Sequence, residues 1–364
     1  QTMRRIMHII ALCAALLLSS CDVHELPEMD RDEKVPFLLH LDFSTQMPLY
    51  KEVLYTKSGG IETKVTTQAH DIRYIINAYR QDKVREENRT PDATFVYTKA
   101  DDTDLNYTAR LELPEGNYDF KVWADYVDVG STEDKYYDTR DFSEIILSDK
   151  DNHPGSNDCR DVFRGYASAT VYDPTRYTGS MQETIDNQST VQMMRPVGKF
   201  KFVSTDLDVF LVHVTQMMYG KTSDIPLDSK AAYEQLLQDI NLGEFYVVFK
   251  YNAFMPCSYN MFTDKPADSW TGMTFKSHMH AVNNNEITLG FDYIFVNGSE
   301  TTLSVSLQVY NKDGVLMSSS NPINVPVVRS KLTVVKGEFL SSTATGGVTI
   351  NPGYDGDDYN IEIY

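Results

Sequence analysis

His278 and His280 stand two residues apart, so on an extended strand both imidazoles would share a face and could grip a divalent metal. The sequence supplies no third ligand in that stretch, and surface decoration is the competing reading. Asp149-Lys150-Asp151-Asn152-His153-Pro154-Gly155 opens like a calcium loop, but Pro154 takes the place where an EF-hand requires Gly, and no helices flank it. Asp355, Asp357 and Asp358 form a comparable acidic run, for which a solvated loop is the plainer account. Trp123 and Trp270 could offer rings for sugar stacking, or lie in a core or an inter-domain contact; Trp270, in a loop context, is the better placed for exposure. An enzyme needs more than this. The chain has no Gly-rich phosphate loop, no Gly-x-Ser-x-Gly elbow and no His-Glu-x-x-His, and no carboxylate dyad stands out among 52 acidic residues. No catalytic residue, metal or cofactor is assigned.

Sulfur chemistry is more informative. The cysteines are Cys13, Cys21, Cys159 and Cys257, with no Cys-x-x-Cys, which excludes a thiol-redox motif and a cysteine-rich zinc site. Gln1 and Thr2 are set aside. Met3-Arg4-Arg5 is a short basic start, and Ile6 to Leu18 is apolar apart from His8, the length of a signal-peptide core and too short to span a bilayer. Leu18-Ser19-Ser20-Cys21 then resembles a bacterial lipobox, in which Cys21 is acylated and becomes the mature N-terminus. An ordinary secretory signal cut nearby is the alternative. The lipobox reading makes residues 1–20 a signal peptide and 21–34 an acidic tether, with the acyl chains holding the chain to a membrane at about 0.8 kcal/mol per buried methylene. Cys159 and Cys257 remain, either bridged, as an oxidising compartment would permit, or isolated in different domains.

The elements that position these residues are short. Of 364 residues, 41% are hydrophobic and 23% charged, a globular composition. The net charge of −19 repels polyphosphates and argues against nucleic acid as a partner. With Tyr 23, Phe 17 and only 2 Trp, the chain leans toward strands. Phe37, Leu39, Leu41 and Phe43 alternate with more polar neighbours, as do Ile72, Tyr74, Ile76 and Ala78. Tyr107 to Tyr126 reads as a hairpin turning at Pro114-Glu115-Gly116-Asn117. Strands are also expected at Ser143–Leu147, Phe163–Val171, Val197–Val203, Val209–Met218, Phe245–Tyr251, Glu286–Val296 and Thr302–Tyr310, with one helix after Ser229. Short strands with frequent turns predict an all-β chain of antiparallel sandwiches: a first domain over 35–185 and a second over 186–364.

The motif order resembles a family. Leu111-Glu112-Leu113-Pro114-Glu115-Gly116-Asn117-Tyr118 up to Trp123-Ala124-Asp125, then Met194-Arg195-Pro196-Val197-Gly198-Lys199-Phe200, is similar to the fimbrillin superfamily of Bacteroidales, as are Phe254 to Asn260 and Val325 to Gly337. Val327-Val328-Arg329-Ser330 departs from the Arg-Asn of closer relatives. The resemblance implies two tandem transthyretin-like antiparallel sandwiches, minor α, with no catalysis, in an outer-membrane lipoprotein acting as anchor or accessory subunit of a fimbria-like (type V pilus) assembly. Other fimbrillin-like subunits would be its partners through strand exchange. The alternative is an adhesin that binds host or bacterial surface glycans, or proteins, without polymerising. Val35 to Phe43 (Phe37, Leu39, Leu41, Phe43) is the candidate removable first strand, or else a permanent edge strand. Tyr359, Ile361 and Ile363 mark a candidate donor strand, or else an ordinary closing one.

Overall fold

The computed structural model describes residues 33–46, 55–58, 61–64, 69–82, 90–101, 104–181, 185–219, 231, 235, 239–281, 286–341, 348–350 and 359–363. The chain is all-β with one long helix. The first part supplies β1 (Lys34–Asp42), β2 (His70–Arg80), β3 (Ala93–Ala100), β4 (Tyr107–Pro114), β5 (Gly116–Asp128), β6 (Phe163–Val171) and β7 (Gln188–Gln192). They make a three-stranded sheet, β7-β1-β4, facing a four-stranded one, β6-β5-β2-β3. The alternation of β1 explains the packing: Phe37, Leu39 and Leu41 are at most 2% exposed and point at the opposite sheet. Phe37 stacks on Phe120 with centroids 5.5 Å apart, and Phe43 meets Phe163 edge-on at 5.0 Å. β7, at 188–192, pairs with β1, so the first sandwich draws on residues beyond position 185.

Two expectations about elements are corrected. Tyr107 to Tyr126 is not a hairpin: β4 pairs with β1, whereas β5 pairs with β2 and β6, in the other sheet. Only Glu115 separates the two strands, fewer than the two residues a hairpin loop needs, and the chain crosses from one sheet to the other there. Leu111 and Leu113 therefore share a core with Tyr118 and Phe120 across the sandwich. Val209 to Met218 is not a strand but part of α1 (Leu207–Tyr219). Leu207, Phe210, Leu211 and Val214 fall at helical spacing and are buried, which outweighs the strand preference of Val209, Val212 and Thr215. The helix expected after Ser229 falls largely outside the described residues.

The second sandwich is built from β8 (Val197–Ser204), β9 (Tyr246–Tyr251), β10 (Thr274–His278), β11 (Ile287–Phe295), β12 (Glu300–Tyr310), β13 (Leu316–Ser319), β14 (Ile323–Val328), β15 (Leu332–Gly337), β16 (Val348–Ile350) and β17 (Tyr359–Ile363). Its pairings repeat the first. β1 has β4 antiparallel on one side and β7 parallel on the other; β8 has β11 antiparallel and β15 parallel. In the facing sheets β2 sits between β3 and β5, and β9 sits between β10 and β12. Beyond this shared plan the second sandwich gains β14 on β12, the short strand His280–Ala281 beside β11, and β17 with β16 outside β15. Gly198 is required where it stands: a Cβ there would lie 2.3 Å from the carbonyl oxygen of Val328.

A third, four-stranded strip joins distant segments, with Tyr137–Asp138 and Ile145–Leu147 paired to Ser258–Asn260 and Lys265–Pro266. It explains why Trp123, on the outer face of β5, is fully buried: its ring packs on Tyr137, Tyr259 and Phe295. The inter-domain reading of Trp123 is the one observed.

Candidate functional site

β1 occupies the middle of its sheet, which corrects the edge-strand alternative: it bonds β4 along Lys34–Leu41 and β7 along Leu38–Asp42. Its inward residues Val35, Phe37, Leu39 and Leu41, with Phe43 just past its end, are all buried. At about 2 kcal/mol for each such side chain, they contribute roughly 10 kcal/mol, comparable with the whole stability of a domain. On the opposite face His40 bridges the neighbours, Nδ1 to Thr108 Oγ1 at 2.9 Å and Nε2 to Gln188 Oε1 at 3.1 Å, and Gln192 donates to Asp42 at 2.6 Å. Lifting β1 out would leave a slot lined by apolar side chains and by the unpaired backbone edges of β4 and β7. Such a slot takes another extended strand and little else.

β17, which carries Tyr359, Ile361 and Ile363, runs parallel to β15 from Thr333↔Tyr359 to Lys336↔Glu362, and β16 pairs with it on the outside. Cys21 and the run Asp355, Asp357 and Asp358 lie outside the described residues.

Ion pairs that no local pattern announces hold the two sandwiches together. Asp264 receives Arg164 at 2.7 and 3.0 Å, Arg329 at 2.9 Å and the Tyr259 hydroxyl. Burial works to raise this carboxyl, but the hydrogen bonds from Arg164, Tyr259 and Arg329 outweigh it and hold the pKa at about 2. The segment 153–161 straps the sandwiches in the same way. Asp292, fully buried, accepts His153 Nε2 at 2.7 Å, the Tyr251 hydroxyl at 2.5 Å and Arg160. Burial and the Arg160 charge lower the His153 pKa, favouring neutral imidazole. Arg195 grips Asp161 through Nε and Nη2, each at 2.8 Å, and Lys199 reaches Asp158 at 2.8 Å. Pairs such as His153–Asp292 lie 139 residues apart, so no local pattern could show them.

The remaining sequence candidates separate. His278 is exposed on β10, while His280 begins the strand beside β11 in the other sheet, so they do not share a strand face. Among the described residues no group of three potential metal ligands occurs. The Asp149–Gly155 loop is occupied by His153, which turns inward. Trp270 is half-buried, with the Lys150 ammonium 5.5 Å above its ring. Cys159 and Cys257 are buried thiols with no disulfide between them.

A family model described as a family of unknown function (DUF6562) matches residues 35–364. No curated protein matches the sequence. Among solved structures, the chain is similar to a fimbrial assembly protein from Parabacteroides distasonis, at 10% identity over 91% of this chain and 99% of that one, with a TM-score of 0.39. It is similar to the fimbrial anchor protein Mfa2 from Porphyromonas gingivalis at 10% identity over 78% and 82% of the two chains, with a TM-score of 0.34. For the tip fimbrial protein Mfa3 of that organism, with a C-terminal truncation, the values are 10%, 80%, 81% and 0.33.

Proposed function

The chain belongs to this family of unknown function, and we propose that it is a non-catalytic structural subunit of a surface fibre. In this reading acylated Cys21 tethers it to the cell outer membrane, and 21–34 is the spacer. Two transthyretin-like bodies carry the contacts, expected over 35–185 and 186–364, with the first extending past that boundary to include β7. It joins other fimbrillin-like subunits of a fimbria-like (type V pilus) assembly by strand exchange, as an anchor or accessory subunit. The solved chains above are named for fimbrial assembly, anchor and tip, but the reading rests on this chain's own strands and sequence motifs.

The observation that carries it is the placement of β16 and β17 beyond β15. β15 is the counterpart of β7, the last strand of the plan that both sandwiches share, so β17 is surplus to that plan. Its sequence, Tyr-Asn-Ile-Glu-Ile, alternates as a strand must when one face is to enter a groove. β1 supplies the complementary half: it fills the kind of groove that such a strand would enter on a neighbouring subunit.

Deleting Tyr359–Tyr364 tests this. The expected result is a folded monomer by circular dichroism, together with loss of the high-molecular-weight ladders that resist mild denaturation. An unfolded product would identify β17 as a closing strand, and undiminished ladders would assign assembly to another segment. For the tether, Cys21→Ala should be released into the medium.

A second reading, an adhesin that binds surface glycans or proteins and does not polymerise, is favoured by one groove of about 490 Å³ between β5, β6 and the turn at Met261–Asp264. There the Lys121 ammonium lies 4.7 Å from both the Tyr166 and the Phe262 ring centroids, beside Asp119 and Ser168. Aromatic faces with charged and hydroxyl groups suit a sugar. A glycan array that gives signal from wild-type protein and none from a Tyr166→Ala variant would favour it.

A further inference from the structure

Where β2 begins, three side chains from three segments meet just under the surface. Cys159 Sγ lies 3.3 Å from His70 Nδ1, and His70 Nε2 lies 3.1 Å from the Tyr136 hydroxyl. Asn157 fixes both ends: its Oδ1 accepts the backbone N–H of Cys159 at 3.0 Å, and its side chain bonds the Tyr136 hydroxyl. Cys159 and His70 are each 8% exposed, against 1% for Cys257, so the pair lies just beneath the surface. The Lys135 ammonium stands 5.5 Å from the Tyr136 ring, near enough to Cys159 to favour a negative charge there. Asp128 pairs with Lys135, and the buried Tyr126 of β5 is acted on by the charges of Asp161, Asp101 and Arg195 as well as by Cys159. No function derived above uses this group.

We propose that Cys159 is a histidine-activated thiol that takes up a low-molecular-weight disulfide at this site. Cys159 S–H donates its proton to His70 Nδ1, while His70 Nε2–H donates to the Tyr136 oxygen and fixes the ring. The thiolate attacks one sulfur of R–S–S–R; a new S–S bond forms, the old one breaks, and R–S⁻ leaves and takes the proton from His70. Cys159 is oxidised and one R–S group is reduced, so no other reactant is needed. Among the described residues the other cysteine is Cys257, which is not bridged to Cys159, so no thiol among them resolves the mixed disulfide. Cys257 is the internal control. It is 1% exposed, and burial, with Asp268 adding to it, pushes its thiol up to about 12.

The test uses the reduced full-length protein and peptide mapping by mass spectrometry. With iodoacetamide at pH 7, Cys159 should react at least about tenfold faster than Cys257. Its rate should follow an apparent pKa below the ordinary thiol value of about 8.5. Cystamine should add to Cys159, and dithiothreitol should reverse the addition. A folded His70→Gln variant should move the Cys159 profile up to that of an ordinary thiol. Equal rates for the two thiols, or a wild-type profile already that of an ordinary thiol, would overturn the proposal. The wild-type profile decides even if the variant fails to fold.

Discussion

At Asp264 the backbone takes φ 56°, a left-handed conformation that costs most side chains about 1 kcal/mol or more and that Asp and Asn tolerate best. The chain accepts it because the carboxylate gathers Arg164, Arg329 and Tyr259 from three separate segments. Asp264→Asn keeps the turn and removes the charge, leaving two largely buried guanidinium groups to share a weaker acceptor. The expected loss is about 2 kcal/mol, read as a lower urea midpoint with unchanged slope. The same logic explains the Met194–Phe200 motif. Arg195 and Lys199 are 2% and 1% exposed and end on Asp161 and Asp158, while Gly198 admits the Val328 carbonyl. Spacing shows such residues as strand ends and turns; their partners lie too far away in sequence to be read.

Among elements, β1 bears most on function, because a strand that is to be exchanged must bind strongly in a specific register. Leu39→Ala should cost about 3 kcal/mol, since its side chain is fully buried between the sheets. Leu38→Ala, one residue along and 37% exposed, should cost little, and equal losses would mean a slipped register. The alternation that makes this prediction was legible in the sequence, as were β9 and β12, because one face of each is buried and the other is not. Two failures have physical causes. β4 and β5 look like a hairpin because alternation and a Pro-Glu-Gly turn are local, whereas the choice between pairing along one sheet and crossing to the other depends on what lies opposite. α1 looks like a strand because Val209, Val212, Val214 and Thr215 are β-branched. Its helical face is visible only once Leu207, Phe210, Leu211 and Val214 are counted together. The residues of β2 alternate but their burial does not, because one face meets the sandwich core and the other is covered by the segment that holds Thr132, Asp134 and Thr139 against Arg73.

At the scale of the molecule, the ion pairs between the sandwiches make cohesion depend on pH, and the sign follows from the groups involved. The His153 pKa is depressed in the folded state, so the unfolded chain binds the extra proton first. Its contribution is complete above the free imidazole value of about 6.5 and is lost as pH falls through and below it. Asp264 and Asp292 are depressed too, so their contribution is present above the ordinary carboxylate range and is lost as pH falls from about 4 toward 2. A net charge of −19 acts the other way, because partial protonation relieves self-repulsion. The absolute melting curve therefore mixes opposing effects, and a difference between variants separates them. His153→Gln keeps a side chain that can donate to Asp292 but removes the titration, leaving the overall charge near neutral pH unchanged. The wild-type protein should lose melting temperature relative to this variant as pH falls through and below 6.5. Parallel curves across that window would show that His153 does not couple protonation to the joint. Wild type and Asp264→Asn should differ most above about pH 4 and converge as pH falls toward 2, where the Asp264 charge that separates them is lost.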